Sequence, residues 1–223
     1  MLSIVIPTLN AEKDLGPTLE CLSAPAWPTE IIIADGGSTD ATPTIAGEAG
    51  TKFVATLGGR GPQLAAGAQY ATGDWLLFVH ADTRPQPGWA HVVRDFMENK
   101  ANRFRAGYFQ FLLNDPAPAA RRIEDLVAWR NRVLSLPYGD QGLLISREFY
   151  DFLGGYAPIR LMEDVDMVRR IGGKRLIPLA SAAVTSAVRY QRDGYIRRPI
   201  RNLFCVGLYL LGMPPNHIGD IYE

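Results

Sequence analysis

Four short runs in the first half of the chain are apolar on both alternating sets of positions: Leu2 to Pro7, Glu30 to Asp35, Lys52 to Leu57 and Asp74 to His80. A strand with one face in water alternates apolar and polar residues, so runs that do not alternate must be covered on both faces. Between them lie helical signals. Leu15, Leu19 and Leu22 recur at helical spacing, Thr39 to Gly50 opens on an Asp40 turn signal, and Gly61 to Ala71 is rich in alanine. Doubly buried strands separated by helices pair in parallel through right-handed crossovers. The expected class is α/β, a Rossmann-like, mostly parallel sheet flanked by helices.

The second half changes rhythm. Gly88 to Asn99 reads as a helix, Phe104 to Leu113 as a strand and Ala119 to Leu136 as a longer helix. A glycine-rich run follows from Gly139 to Tyr156, then an acidic turn at Met162-Glu163-Asp164 and a last helix from Pro199 to Gly212. No long linker, low-complexity tract or fixed-period repeat divides the chain, so residues 1–223 are read as one domain whose later elements complete a mixed sheet. A chain of 223 residues buries roughly 70 to 75% of its unfolded surface and needs no covalent staples. Cys21 and Cys205 sit among apolar residues as small buried hydrophobes, which points to a reduced, cytoplasmic setting. The start of the chain lacks a basic segment and is interrupted by Pro7, so it reads as a strand and not a leader. Leu203 to Met213 is about half the ~20 apolar residues a bilayer span requires. The expectation is a soluble protein, resting at most on a membrane surface. The 23 basic and 23 acidic residues are interleaved, which leaves no excess charge to hold nucleic acid.

In an open α/β sheet, ligands gather beyond the carboxyl ends of the strands. Those ends here carry Pro7-Thr8-Leu9-Asn10-Ala11-Glu12, then Asp35-Gly36-Gly37-Ser38-Thr39-Asp40, Gly58-Gly59-Arg60-Gly61-Pro62-Gln63 and His80-Ala81-Asp82-Thr83. Gly36-Gly37 permits close backbone approach to a ligand, although Asp-Gly-Gly-Ser after a strand is also an ordinary turn. Neither a P-loop nor a G-x-G-x-x-G fingerprint follows a strand, which lowers nucleotide kinases and dinucleotide dehydrogenases. Asp82 is a lone carboxylate just past a strongly apolar strand, with His80 beside it. A hard divalent cation takes one or two carboxylates and completes its shell with water and phosphate oxygens, so the pair is chemically adequate. A turn-forming role for Asp82 serves equally well on this ground alone.

Taken in order, Ile4 to Glu12, Ile33 to Asp40, Ala71 to Thr83, and Gly154-Gly155-Tyr156 ahead of Glu163-Asp164-Val165-Asp166 resemble the family 2 glycosyltransferases of GT-A fold, in particular their small single-domain bacterial branch. The resemblance covers about residues 2 to 175. It implies a nucleotide-binding half over residues 1–83 and an acceptor half over 84–223. A UDP- or GDP-sugar would lie across the strand ends against Pro7, Thr8, Asn10 and Glu12, with Asp35 and Gly37 on the nucleoside side. Arg60 and Gln63 would face the diphosphate, joined by Ala81, Asp82 and the polar loop containing Gln141. His80-Ala81-Asp82 stands where the family carries D-x-D, so Asp82, with His80, becomes the expected holder of Mg2+ or Mn2+. Asp164 matches the base that deprotonates a hydroxyl acceptor in an inverting displacement, and Glu163 would orient the acceptor or hold Asp164. The family often has two consecutive acids where this chain has Asp35-Gly36.

Other features admit blander readings. Glu163, Asp164 and Asp166 also suit a helix first turn, with Arg169 or Arg170 at ion-pairing spacing. Gly139-Asp140-Gln141-Gly142 is either a ligand-contacting loop or a tight turn into a strand at Leu143-Leu144-Ile145. His91 and His217 are expected to be structural or solvent-facing, Trp75 and Trp129 to lie in the core, and Trp89 to be core or a wall for a sugar ring. Arg189 to Met213 holds five arginines leading into an apolar helix, a solvated face or a site of peripheral membrane contact suited to a lipid-linked acceptor. Gln191-Arg192-Asp193-Gly194-Tyr195 only echoes the family's Q-x-x-R-W. Two alternatives compete. A non-catalytic nucleotide-sugar or lipid-binding module would explain His80 and Gly36. A sugar-phosphate nucleotidyltransferase would need a glycine-rich basic loop after the first strand, which Pro7 to Glu12 is not.

Overall fold

β1 (Leu2–Thr8) is buried at every position, as an apolar run without alternation requires. Its side chains alternate between two cores, Leu2, Ile4 and Ile6 on one face of the sheet and Val5 on the other. The computed structural model describes residues 1–23 and 25–222. After β1 the order is α1 (Leu15–Leu22), β2 (Thr29–Asp35), α2 (Thr42–Glu48), β3 (Lys52–Ala55), α3 (Arg60–Tyr70), β4 (Trp75–Phe78), β5 (Thr83–Pro85) and α4 (Trp89–Glu98). The second half adds β6 (Ala106–Leu113), α5 (Pro118–Leu134), β7 (Leu143–Ser146), α6 (Arg147–Phe152), α7 (Glu163–Ile171), β8 (Leu176–Thr185), α8 (Val188–Asp193), α9 (Arg197–Leu210) and α10 (Pro215–Tyr222).

Among the described residues, eight strands form one sheet in the order β3-β2-β1-β4-β7-β6-β8-β5. The first four are mutually parallel, β7 runs against both its neighbours, and β6 and β8 are parallel again. This is the mixed α/β sheet expected. One face is covered by α1 and α4 through Leu15, Leu19, Leu22, Trp89, Val93 and Phe96. The other is covered by α3 and α7 through Leu64, Ala68, Met167, Val168 and Ile171. Gly67 lets α3 sit hard on the sheet: a Cβ there would lie 2.3 Å from Val5 Cγ1.

β8 is absent from the sequence reading. Its run, Leu-Ile-Pro-Leu-Ala-Ser-Ala-Ala-Val-Thr, lacks aromatics and carries Pro178, which removes a ladder donor. The register between β6 and β8 shifts between Tyr108 and Gln110, so the irregularity lies beside the proline. The expected acidic turn at Met162 to Asp164 is the start of α7. Trp75 is in the core as expected, but Trp129 is 48% exposed. On α5 the buried positions are Ala120, Ile123 and Val127, and Trp129 falls off that stripe. Trp89 is no sugar wall either, since it is fully buried and donates its indole N–H to the Cys21 carbonyl. Both cysteines are free, and no helix among the described residues is long and apolar enough to cross a membrane.

Glu30 ties four segments of the parallel half together. Its Oε1 accepts from Ser3 Oγ on β1 and from the amide and hydroxyl of Thr72 ahead of β4, while Oε2 pairs with Lys52 on β3. Burial raises the carboxyl, yet the donors from Lys52, Ser3 and Thr72 outweigh it and lower its pKa from 4.5 to about 2. A depressed folded value stabilises above the unfolded value and is lost as pH falls through both. Glu30→Gln should therefore cost about 2 kcal/mol at neutral pH. In urea titrations that cost should shrink steadily as pH falls from about 4.5 toward about 2.

Candidate active site

At the carboxyl ends of β1 and β2, two loops are stitched to each other. Asp35 Oδ1 accepts from the hydroxyls of Thr8 (2.8 Å) and Ser38 (2.6 Å), and Oδ2 from the amides of Gly37 (2.9 Å) and Ser38 (2.7 Å). Burial raises the Asp35 carboxyl, but these four donors prevail and hold it below its ordinary range. Asn10, in a left-handed conformation at φ 50°, donates its amide to Ser38 Oγ and accepts Thr39 N–H. Glu12 Oε2 accepts Ala41 N–H. Asp35 and Glu12, expected on the nucleoside side and against the nucleotide-sugar donor respectively, are engaged in crosslinking the loops.

Gln63 is likewise turned inward. Its Nε2 donates to the carbonyls of Thr8 (2.6 Å) and Ala34 (3.0 Å), so its amide protons are spent on strand ends and not on a diphosphate. That side chain explains Gly36, where a Cβ would meet Gln63 Nε2 at 2.9 Å. Gln141 is fully buried. It donates to the Phe109 carbonyl, and its Oε1 receives Arg130, Asn131 and the Tyr138 amide. It holds the loop that presents Gly139 and Asp140 and is not open to a ligand.

Pro7, Thr8, Asn10, Arg60, Gln63, Ala81 and Asp82 line one cavity of about 380 Å³; Glu12, Asp35, Gly37 and Gln141 are not among its walls. A smaller cavity of about 90 Å³ adjoins it and contains Asp164 and Asp140. Arg60, His80, Asp82 and Arg189 belong to both, so the two form one cleft. Asp82 and Asp164 thus face a common space, although they come from opposite halves of the chain. Asp164 Oδ2 accepts the Gly139 N–H at 2.8 Å. A side chain at Gly139 would displace the imidazole, because a Cβ would lie 2.7 Å from His80 Nε2. Met162, left-handed at φ 68°, makes the turn that aims the first turn of α7 into the site.

Glu163 does not face the cleft. Its Oε1 pairs with Arg60 Nη1 at 3.2 Å, and its Oε2 is buried without a partner. Burial, with Asp164 adding to it against Arg60, raises the Glu163 carboxyl to about 7. Expected to orient an acceptor or to hold Asp164, its side chain instead pairs with Arg60. Burial likewise raises Asp140 to about 6, with Arg130 opposing and Asp164 and Asp82 reinforcing. Burial, then the charges of Arg60 and Arg189, hold the His80 imidazole well below its usual value, in its neutral form. His91 and His217 are exposed.

Among the described residues, no group of three or more His, Cys, Asp or Glu side chains could hold a metal unaided. Asp82 with neutral His80 supplies one hard oxygen and one imidazole nitrogen at the cleft wall, which suits a cation completed by phosphate oxygens and water. Arg189 and Asp140 are the site residues whose place sequence reasoning missed. Both sat in segments already marked, one as a basic stretch and one as a polar loop, and only the packing of α8 and the turn before β7 brings them to the cleft.

Residues 3–115 match the family model described as "Glycosyl transferase family 2". Proteins named PGL/p-HBAD biosynthesis glycosyltransferase from Mycobacterium bovis and Mycobacterium tuberculosis are 37% identical over 94 residues, 37% of this chain and 35% of theirs. The match therefore spans about a third of those relatives. Among solved structures, S. aureus TarS 1-349 in complex with UDP-GlcNAc superposes with a TM-score of 0.67 at 15% identity, over 99% of this chain and 70% of that one. Glucosyl-3-phosphoglycerate synthase from Mycobacterium tuberculosis, in complex with Mn2+, UDP and glucosyl-3-phosphoglycerate, gives 0.58 at 20% identity, over 83% and 70%. At these identities the likeness shows the fold, which is that of GT-A glycosyltransferases.

Because Glu163 is raised from 4.5 to about 7, the folded state holds a proton that the unfolded chain releases between those values. Stability linked to that proton is complete below the unfolded value and is lost as pH rises through about 7. Glu163→Gln should show a smaller drop in melting temperature than the parent between about pH 5 and about pH 8. An equal drop in both proteins would refute the assignment.

Proposed function

This chain belongs to glycosyl transferase family 2, and on that premise we propose that it moves a sugar from a UDP- or GDP-sugar to a hydroxyl acceptor, inverting the anomeric centre with the help of a divalent cation. The observation that carries this reading is the common cleft of Asp82 and Asp164, with Arg60, His80 and Arg189 in its walls. TarS in complex with UDP-GlcNAc and the mycobacterial synthase in complex with Mn2+ and UDP share the fold and support the donor class and the cation.

The donor would occupy the larger cavity, its pyrophosphate beside Arg60 and Arg189. Arg60 is held from behind by Glu163, so its fork is oriented before the donor arrives and less side-chain freedom is lost on binding. Asp82, with His80, would hold Mg2+ or Mn2+, which when bound supplies Lewis-acid neutralisation of the departing diphosphate. Asp164 accepts one backbone N–H on each oxygen and keeps a second lone pair on each, so it is oriented yet able to take the acceptor's proton. Asp164 and Asp82 are both walls of the smaller cavity, which supports a reading in which the acceptor enters beside Asp164 while the leaving diphosphate lies toward Asp82.

UDP or GDP with Mn2+ should raise the melting temperature, a saturating ligand at 100 times its dissociation constant adding about 2.7 kcal/mol. Asp82→Ala should remove the metal-dependent part of that rise. Asp164→Asn should keep donor binding while transfer falls by about 10²- to 10⁴-fold. A panel of nucleotide sugars scored for slow release of nucleoside diphosphate tests the class directly. Binding without turnover across the panel would point instead to a non-catalytic module.

A further inference from the structure

We propose that the acceptor is an amphiphilic alcohol whose hydrocarbon tail lies between α5 and α9 and whose hydroxyl enters the cleft at Asp140. This deepens the transferase reading and rests on it. A groove of about 140 Å³ runs between the two helices, walled by Ile123, Leu126, Trp129, Ile200 and Leu203, with Tyr138 and Asp140 at its inner end. Tyr138, Asp140, Tyr190 and Asn202 are also walls of the cavity that holds Asp164, so groove and cleft are continuous. Outward, Ile123 and Leu126 lead into an open hollow of about 730 Å³ with Ile196, Arg122 and Arg197 at its mouth.

Two independent features call for such an occupant. Leu126, Trp129, Ile200 and Leu203 are between 48% and 61% exposed, an apolar stretch along facing sides of two helices. Scattered apolar residues at a surface need no explanation, but a contiguous lining that leads to a catalytic cavity marks a binding groove. α9 packs inward through Cys205 and Val206 against Met162 and Val165, which leaves its Ile200 and Leu203 side turned toward α5. At the junction, the Asp140 Oδ1 is shut from solvent and has no hydrogen-bond partner. A hydroxyl donor arriving from the groove would satisfy it on entry, and would then turn its single proton to Asp164, a wall of the same cavity, for the transfer. A peptide would bring backbone amides into walls that offer them few partners, which is costly.

The test uses the intact chain and plain alcohols from hexanol to dodecanol, with dibrominated dodecanol as a quencher of Trp129. Quenching should saturate, should vanish in Trp129→Phe, and should tighten about two- to fourfold with each added methylene. Leu203→Asp, at an exposed position, should weaken dodecanol binding about tenfold or more. The melting shift caused by UDP or GDP with Mn2+ reports whether that variant is folded. With a nucleotide sugar present, dodecanol should accelerate release of nucleoside diphosphate. A normal nucleotide shift without quenching overturns the amphiphile and leaves the transferase standing. Quenching with no nucleotide shift overturns the transferase and the acceptor assignment with it. A dimer that Leu203→Asp dissolves, without dodecanol binding, overturns the proposal by placing a second copy on this face.

Discussion

Arg60 and Glu163 form the joint on which the site depends. One residue opens α3 in the parallel half and the other opens α7 in the second half, 103 positions apart, and their side chains meet at 3.2 Å. The approach is possible because the backbone is stripped on one side of the joint: a Cβ on Gly61 would lie 2.4 Å from the carbonyls of Ala157 and Ile159, and one on Gly59 2.6 Å from Arg160. The amide of Gly61 donates to Ile159 and that of Arg60 to Arg160. The first amides of α3 are thus spent on residues 159 and 160, so this helix start binds its own chain, and the charged group that α3 brings to the cleft wall is the guanidinium of Arg60. The Glu163 carboxyl that orients it is buried, and that burial raises its pKa. Such a pair contributes geometry more than stability.

A second constraint acts at the strand ends. Polar residues of the first two loops that read as ligand contacts, Asp35, Glu12 and the amide of Asn10, satisfy neighbouring backbone and side-chain groups. A loop so crosslinked keeps its shape without ligand, and the cavity walls it leaves, Pro7, Thr8 and Asn10, are preformed. Binding then orders fewer groups, which is where preorganised sites gain affinity.

Much of this was legible in the chain. The strands β1, β2 and β4 and the helices between them are plain, because burial leaves uninterrupted apolar runs and helices leave a 3.6-residue spacing; β3, expected to be covered on both faces, is instead the edge strand of the sheet and is exposed at three of its four positions. Asp82 and Asp164 were found by motif order, which survives without knowledge of distance. What failed depended on packing. β8 is built of small residues around Pro178 and carries no strand signature of its own; it exists because β6 offers it an edge. Trp129 reads as a core residue among the apolar positions of its helix, but the buried stripe of α5 runs through Ala120, Ile123 and Val127 and leaves it outside. Glu163 and Gln141 have the right chemistry for a ligand, and only packing gives the direction of each side chain, toward Arg60 and toward the Phe109 carbonyl.

The exposed tryptophan and the basic stretch near the end of the chain then belong together. Asp193 gathers Arg192, Arg198 and Arg201 at 2.6 to 3.2 Å, so three of the five arginines are an ion-pair hub and not a bare cationic face. Arg198 is buried, its guanidinium also facing the Tyr190 ring. The hub sits where α8 turns into α9, fixing the direction in which α9 leaves the cleft, and hence the gap it keeps from α5. With those charges engaged, the surface along α9 is governed by its apolar side chains. The polar cleft proposed to take a pyrophosphate opens, through Asp140, onto a groove that water wets poorly, and the amphiphile proposed as acceptor is the species that such a boundary would distinguish from free sugars.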